Sequence, residues 1–167
     1  VRTRRYGPEC PRSSVDKLDR HLGRMARSAA ALGIAFDEPA WRELVATACA
    51  AWRAPAPGEA AMRLVLTRGP ADQDHPVGFL TVTPLDRDYP RQRREGIRVI
   101  TLSRGVSSDA YASAPWLLGG VKTLSCAVNM AAQREAARQG VEDAILVSTD
   151  GYVLEAPTGS VVWSVRR

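Results

Sequence analysis

Lys122 and Glu155 are the two residues of this chain whose types and settings could do chemistry. The 23 basic residues comprise 21 arginines and two lysines, Lys17 and Lys122. Lys17 lies in the polar stretch Ser13-Ser14-Val15-Asp16-Lys17 and needs no special account. Lys122 follows Trp116-Leu117-Leu118-Gly119-Gly120-Val121, a run without charge. An ammonium among apolar groups is costly unless paired or neutral. A neutral amine attacks carbonyls, which a permanently charged guanidinium cannot do. A chain that uses arginine nearly everywhere and lysine here points to Schiff-base chemistry. Glu155 follows the apolar run Tyr152-Val153-Leu154 and precedes Ala156-Pro157-Thr158-Gly159-Ser160, so its carboxylate ends a strand beside a small-residue turn. There it can point into a site; the plain alternative is an exposed strand-end acid.

Several elements must position these two groups. Leu18, Leu22, Met25, Ala29 and Leu32 recur at helical spacing, which predicts a helix over 16–34 with Gly33 as its stop. A second helix is predicted over 39–52, capped by Asp37 and started by Pro39, with Trp41, Leu44, Val45, Ala48 and Trp52 on one face. Strands are expected over 62–67, 77–83 and 97–102. Residues 105–113 read as loop. A helix is expected from Ser125 to Gln139, stopped by Gly140. Strands over 144–148 and 152–154 are joined by Thr149-Asp150-Gly151, whose Asp-Gly pair is a hairpin signal. A last strand is expected over 160–165. The pattern is mixed α and β, with two units meeting around 85–96.

Composition excludes several classes. With 167 residues, 45% hydrophobic and 25% charged, the chain is an ordinary globular sequence. No run approaches the ~20 apolar residues of a membrane helix. Cys10, Cys49 and Cys126 are odd in number and widely spaced, which fits a reducing cytoplasm, and no pair has metal-ligand spacing. The net charge of +5 raises nucleic acid as a partner. The densest basic cluster, Arg87 to Glu95, contains a proline and interleaved acids and reads as a solvated loop. No partner nucleic acid, membrane or metal is expected.

The order of motifs around the two groups resembles the class IV aminotransferases, the fold-type IV pyridoxal-phosphate enzymes. The matching text is Val121-Lys122-Thr123-Leu124-Ser125, Ala127-Val128-Asn129-Met130, Arg134-Glu135-Ala136-Ala137, Gly140, Glu142-Asp143-Ala144 and Asp150-Gly151-Tyr152-Val153-Leu154-Glu155. Leu18 to Met25 with Ser28-Ala29 is similar to the family's N-terminal helix, and Arg63 to Gly69 to its following strand. Within the family the likeness is nearest to aminodeoxychorismate lyases, on the Lys-Thr-Leu-Ser, Ala-Val-Asn-Met and Ser-Thr-Asp-Gly-Tyr-Val-Leu-Glu runs. Two positions depart from that pattern: Cys126 stands where such sequences commonly carry Tyr, and Ala156-Pro157 follows Glu155 where they commonly carry Gly.

The resemblance implies an α/β (mixed α+β) fold of the D-amino-acid-aminotransferase type. A small N-terminal domain would span 1–90, and the first part of a pyridoxal-phosphate-binding large domain 91–167. It implies pyridoxal 5′-phosphate as cofactor, a small amino-bearing substrate, a homodimer and a cytoplasmic role in folate biosynthesis. Lys122 would form the Schiff base and move protons. Glu155 would pair with the pyridine nitrogen, Arg24 would hold the phosphate, and Ser160 would join the cofactor site. Arg63 or Arg68 would face substrate carboxylates; being an odd number apart, they point oppositely in a regular strand. His75 reads as a loop histidine and His21 as a helix residue. The expected activity is release of pyruvate from 4-amino-4-deoxychorismate. A branched-chain or D-amino-acid aminotransferase is the alternative, and a non-catalytic remnant of the fold a second one. Family members begin earlier and continue further, so an internal portion of a longer product is expected, with further phosphate contacts beyond Arg167.

Overall fold

The structure is a computed structural model that describes residues 2–4, 14–52, 59–73, 75–85 and 88–165. It divides into two compact units, Val1–Tyr89 and Pro90–Arg167.

In the first unit, strands β1 (Arg2–Arg4) and β2 (Ser14–Val15) precede helices α1 (Leu18–Ala31) and α2 (Glu38–Ala51). Strands β3 (Ala60–Thr67) and β4 (Val77–Pro84) follow, and the antiparallel sheet runs β2-β1-β3-β4. The apolar period of α1 buries Leu22 and Ala29, and that of α2 buries Trp41 and Val45. Asp37 caps α2 as expected, its Oδ1 accepting from the Ala40 N–H at 3.0 Å. Helix α1 ends at Gly33, with φ of 62°: Ile34 N–H donates to Ala29 and Gly33 N–H to Ala30, the paired bonds of a left-handed glycine stop. Gly78 lets α2 approach the sheet, because a Cβ there would lie 2.7 Å from the Trp41 ring. The short β1 and β2 were not predicted; Arg-Thr-Arg carries no apolar alternation.

The second unit holds β5 (Val99–Ser103), α4 (Ala127–Arg138), β6 (Asp143–Val147) and β7 (Val153–Glu155), preceded by α3 (Tyr89–Glu95). Strand β5 pairs parallel with β6 through the α4 crossover, and β6 pairs antiparallel with β7. Ala132 and Ala136 on α4 pack on Ala144 and Leu146 of β6, ringed by Ile100, Leu102 and Val141. Three of the four buried residues are alanines, which brings helix and sheet close together. Gly140 ends α4 by the same paired-bond stop as Gly33, with φ of 72°.

Two expectations need correction. The basic cluster expected as a loop forms helix α3 over most of its length: Pro90 falls in the first turn, where a missing N–H costs nothing, and Arg91 and Glu95 pair at i,i+4. Residues 160–165, expected as a strand, form none. A strand needs a hydrogen-bonding neighbour, the sheet order ends at β7, and Val162, Trp163 and Val165 are 90%, 78% and 74% exposed.

Candidate active site

Lys122 lies on an irregular segment between two fixed points. Its N-terminal anchor is the 3-10 turn Pro115–Leu117, after which Leu118 takes a left-handed φ of 57°. Gly119 then passes so near Tyr111 that a Cβ would meet the tyrosine Cβ at 2.4 Å. Gly120 has a φ of 76°, and Val121 N–H donates to the Leu118 carbonyl at 3.0 Å. Downstream, Cys126 N–H donates to Leu124 at 2.8 Å, and Met130 N–H to Cys126 at 2.9 Å, joining the segment to α4. The apolar surroundings expected for the lysine are absent. Lys122 is exposed, and so are Trp116 and Leu117, because the run forms a turn at the surface. An exposed ammonium carries no burial cost, so the amine's capacity to bond a carbonyl is what distinguishes Lys122.

Glu155 closes β7, its Cα in register with Leu146 of β6, and its side chain is exposed. The hairpin before it follows the Asp-Gly signal. Gly151 has φ of 90° and donates to Ser148, and Ser148 N–H donates to Tyr152 at 2.9 Å. After Glu155 the chain turns tightly, with Ala156 N–H donating to the Gly159 carbonyl at 3.2 Å. Pro157, in the middle, is buried, whereas Glu155 and Ser160 on either side are exposed. Lys122, Glu155 and Ser160 thus belong to one unit, the first on the segment leading into α4 and the other two on β7 and the turn after it.

Polar side chains to which the sequence assigned no role at the site bond these segments to their neighbours. Asn129 Nδ2 donates to the Pro157 carbonyl at 2.8 Å, and its Oδ1 accepts from Arg104 Nη1 at 3.3 Å. One helical turn on, Gln133 Nε2 donates to Thr158 Oγ1 at 3.2 Å. No local pattern in the sequence marks these contacts, because their partners lie 25 or more residues away. Asp150 ties the hairpin to the loop after β5: its Oδ1 accepts from Ser108 N–H at 2.9 Å and its Oδ2 from Ser108 Oγ at 2.7 Å. Hydrogen bonds from Ser148 and Ser108 lower its carboxyl from 3.8 to about 2.

The first unit carries the arginines. Arg24 is exposed on α1 and lies 3.3 Å from His21 Nδ1. Partial burial, with Arg24 among the positive charges nearby, lowers the His21 pKa, which favours the neutral ring that can accept this bond. Arg68 is committed locally: its two terminal nitrogens donate to the carbonyls of Leu32 and Gly33 at the end of α1. Arg63, within β3, is exposed. His75 lies in the exposed turn before β4.

The donor set fits a phosphorylated carbonyl cofactor in kind: an exposed amine, a carboxylate and a hydroxyl in one unit, and an exposed guanidinium in the other. Among the described residues no group of His, Cys, Asp and Glu is placed to hold a metal ion. None of their helices is long and apolar enough to cross a membrane.

Comparison with known proteins gives the frame for this arrangement. The chain is 43% identical over 146 residues to the bifunctional aminodeoxychorismate lyase / D-amino acid transaminase of Mycobacterium tuberculosis, a match covering 87% of this chain and 50% of that protein. A hypothetical aminotransferase from Mycobacterium tuberculosis in its PLP-bound form superposes with a TM-score of 0.80 at 42% identity, over 87% of this chain and 51% of that one. The same similarity holds to its α-ketoglutarate- and PMP-bound form. A fold IV transaminase from Curtobacterium pusillum matches with a TM-score of 0.78 at 46% identity, over 86% of this chain and 50% of that one. The chain thus spans about half the length of these relatives. Residues 12–166 match the amino-transferase class IV family, and the chain belongs to that family.

Proposed function

We propose that this chain carries the reactive-lysine half of a pyridoxal-phosphate enzyme that acts on a small amine-bearing acid. The observation that carries this reading is Lys122: one of two lysines, exposed, and held on a turn-bounded segment leading into α4. When bound, the cofactor supplies a carbonyl that bonds a primary amine and a ring that accepts electrons. Lys122 would be the amine that holds that carbonyl, and its free amine would serve as the base that moves the substrate proton. Glu155 would pair with the ring nitrogen and keep it protonated. Arg24 would hold the cofactor phosphate by charge-assisted hydrogen bonds, and Ser160 would join the cofactor site. Of the two candidate substrate-binding arginines, Arg63 remains for a carboxylate, because Arg68 is bonded to the end of α1.

The reaction proposed first is loss of pyruvate from 4-amino-4-deoxychorismate to give 4-aminobenzoate, supported by the bifunctional relative and by the motifs around Lys122. Transamination is the second reading, favoured by the same relative's transaminase activity and by the neighbour with bound α-ketoglutarate and PMP. A second copy as partner and a cytoplasmic, folate-synthesising setting belong to this proposal. Two assays on the cofactor-loaded protein separate the reactions. Pyruvate release from aminodeoxychorismate, without a keto acid acceptor, marks the lyase. Keto acid formed from a D-amino acid in proportion to added α-ketoglutarate marks the transaminase. Neither product from loaded protein would contradict both.

A further inference from the structure

Asn129 lies where three segments of the second unit converge. It stands near the start of α4, five residues after the Lys122 segment passes through Leu124 into the helix. Its Nδ2 reaches the carbonyl of Pro157, in the middle of the turn that has Glu155 at one end and Ser160 at the other. Its Oδ1 accepts from Arg104, the residue directly after β5, whose own N–H donates to Val147 of β6 at 2.7 Å. The two partners fix the amide's orientation, since a flipped amide would set donor against donor and acceptor against acceptor. The bond to Pro157 is partly buried, so losing its donor leaves a carbonyl with little access to water. Gln133, the other α4 residue that reaches the turn, bonds a side-chain hydroxyl in an exposed position, where water can substitute.

We infer that Asn129 is a positioning residue that sets the placement of the Glu155–Ser160 turn relative to the Lys122 segment. The inference rests on the pyridoxal-phosphate reading proposed above. Helix α4 carries the lysine segment at its N-terminus and the turn's anchor on its first full turn. The amide therefore couples the group that bonds the cofactor carbonyl to the carboxylate that faces the cofactor ring. Two substitutions divide its roles. Asn129→Asp keeps an acceptor for Arg104 but removes the donor to Pro157 and sets two acceptors together. Asn129→Ala removes both bonds. Gln133→Ala serves as the comparison on the same helix face.

The test uses three readouts. Hydrogen exchange of the cofactor-free protein reports on residues 153–160 directly. The pH titration of the near-visible absorbance of bound pyridoxal phosphate reports on the charge placed against the cofactor. Steady-state kinetics divide kcat from KM. Both Asn129 variants are expected to exchange faster across 153–160, to move the midpoint of the absorbance titration by at least half a pH unit, and to lower kcat about tenfold or more with a smaller change in KM. Gln133→Ala, which removes an exposed bond to the same turn, is expected to change all three far less than either Asn129 variant does. An Asn129→Asp protein that keeps the parent's titration midpoint and kcat overturns the inference, whether or not the turn exchanges faster. If Asn129→Ala does not fold, Asn129→Asp, which retains the Arg104 contact, decides the outcome alone. Failure of borohydride to fix the cofactor to Lys122 in the parent protein overturns the cofactor reading itself. Normal fixation in the parent, with variants indistinguishable from it, overturns only the role of Asn129.

Discussion

Glutamate and glutamine have nearly the same shape, so exchanging them at position 155 isolates charge. Under the proposed chemistry the carboxylate favours the protonated ring nitrogen, and a neutral amide does not. Glu155→Gln should therefore leave the cofactor attached to Lys122 and lower turnover by at least tenfold, with cofactor affinity falling less. Parallel measurement of kcat and of cofactor dissociation checks this. Near-normal turnover would return Glu155 to the plain reading of an exposed strand-end acid, which its accessibility in β7 also permits. Lysine 122 gives the complementary contrast: arginine at that position keeps the charge and loses the nucleophile.

At the scale of elements, the hairpin between β6 and β7 shows how much short-range chemistry reveals. The Asp-Gly pair was legible because only a few residues tolerate the left-handed backbone that Gly151 adopts. Both helix stops at Gly33 and Gly140 were legible for the same reason. The amphipathic periods located Leu22 and Ala29 on α1 and Trp41 and Val45 on α2 in the core, whereas Leu44, expected on the same face of α2, is exposed. What stayed hidden depends on contacts distant in sequence. The β2-β1-β3-β4 sheet order, the Trp41–Gly78 contact and the Asn129–Pro157 bond have no local signature. The Asp150–Ser108 contact is of this hidden kind and has a pH dependence with a definite sign. Its folded-state carboxyl lies below its ordinary value, so the stability it contributes is full above 3.8 and is lost as pH falls through about 2. Hydrogen exchange at the loop around Ser108, corrected for intrinsic rates, should therefore stay constant from pH 7 to 4. Asp150→Ala should raise it throughout that range. Equal protection in the variant would show that the loop is held by other contacts.

For the whole molecule, the surface of the second unit is the informative feature. Val162, Trp163 and Val165 follow the Glu155–Ser160 turn and are largely exposed, as are Trp116, Tyr152 and Val153. Exposed apolar groups in this number favour association. The 167-residue chain should sediment above monomer mass at micromolar concentration, and the double substitution Val162→Ser, Trp163→Ser should shift it toward monomer. A monodisperse parent monomer would contradict this. The two units carry different parts of the proposed chemistry, with Lys122, Glu155 and Ser160 in the second and Arg24 and Arg63 in the first. The family assignment spans both, since the matched residues run from 12 to 166. The scarcity of lysine makes the central claim directly measurable. Protein loaded with pyridoxal phosphate, reduced with borohydride and digested should carry the cofactor on the peptide containing Lys122, and Lys122→Arg should carry none. Label on Lys17, or no label on the parent protein, would contradict the account.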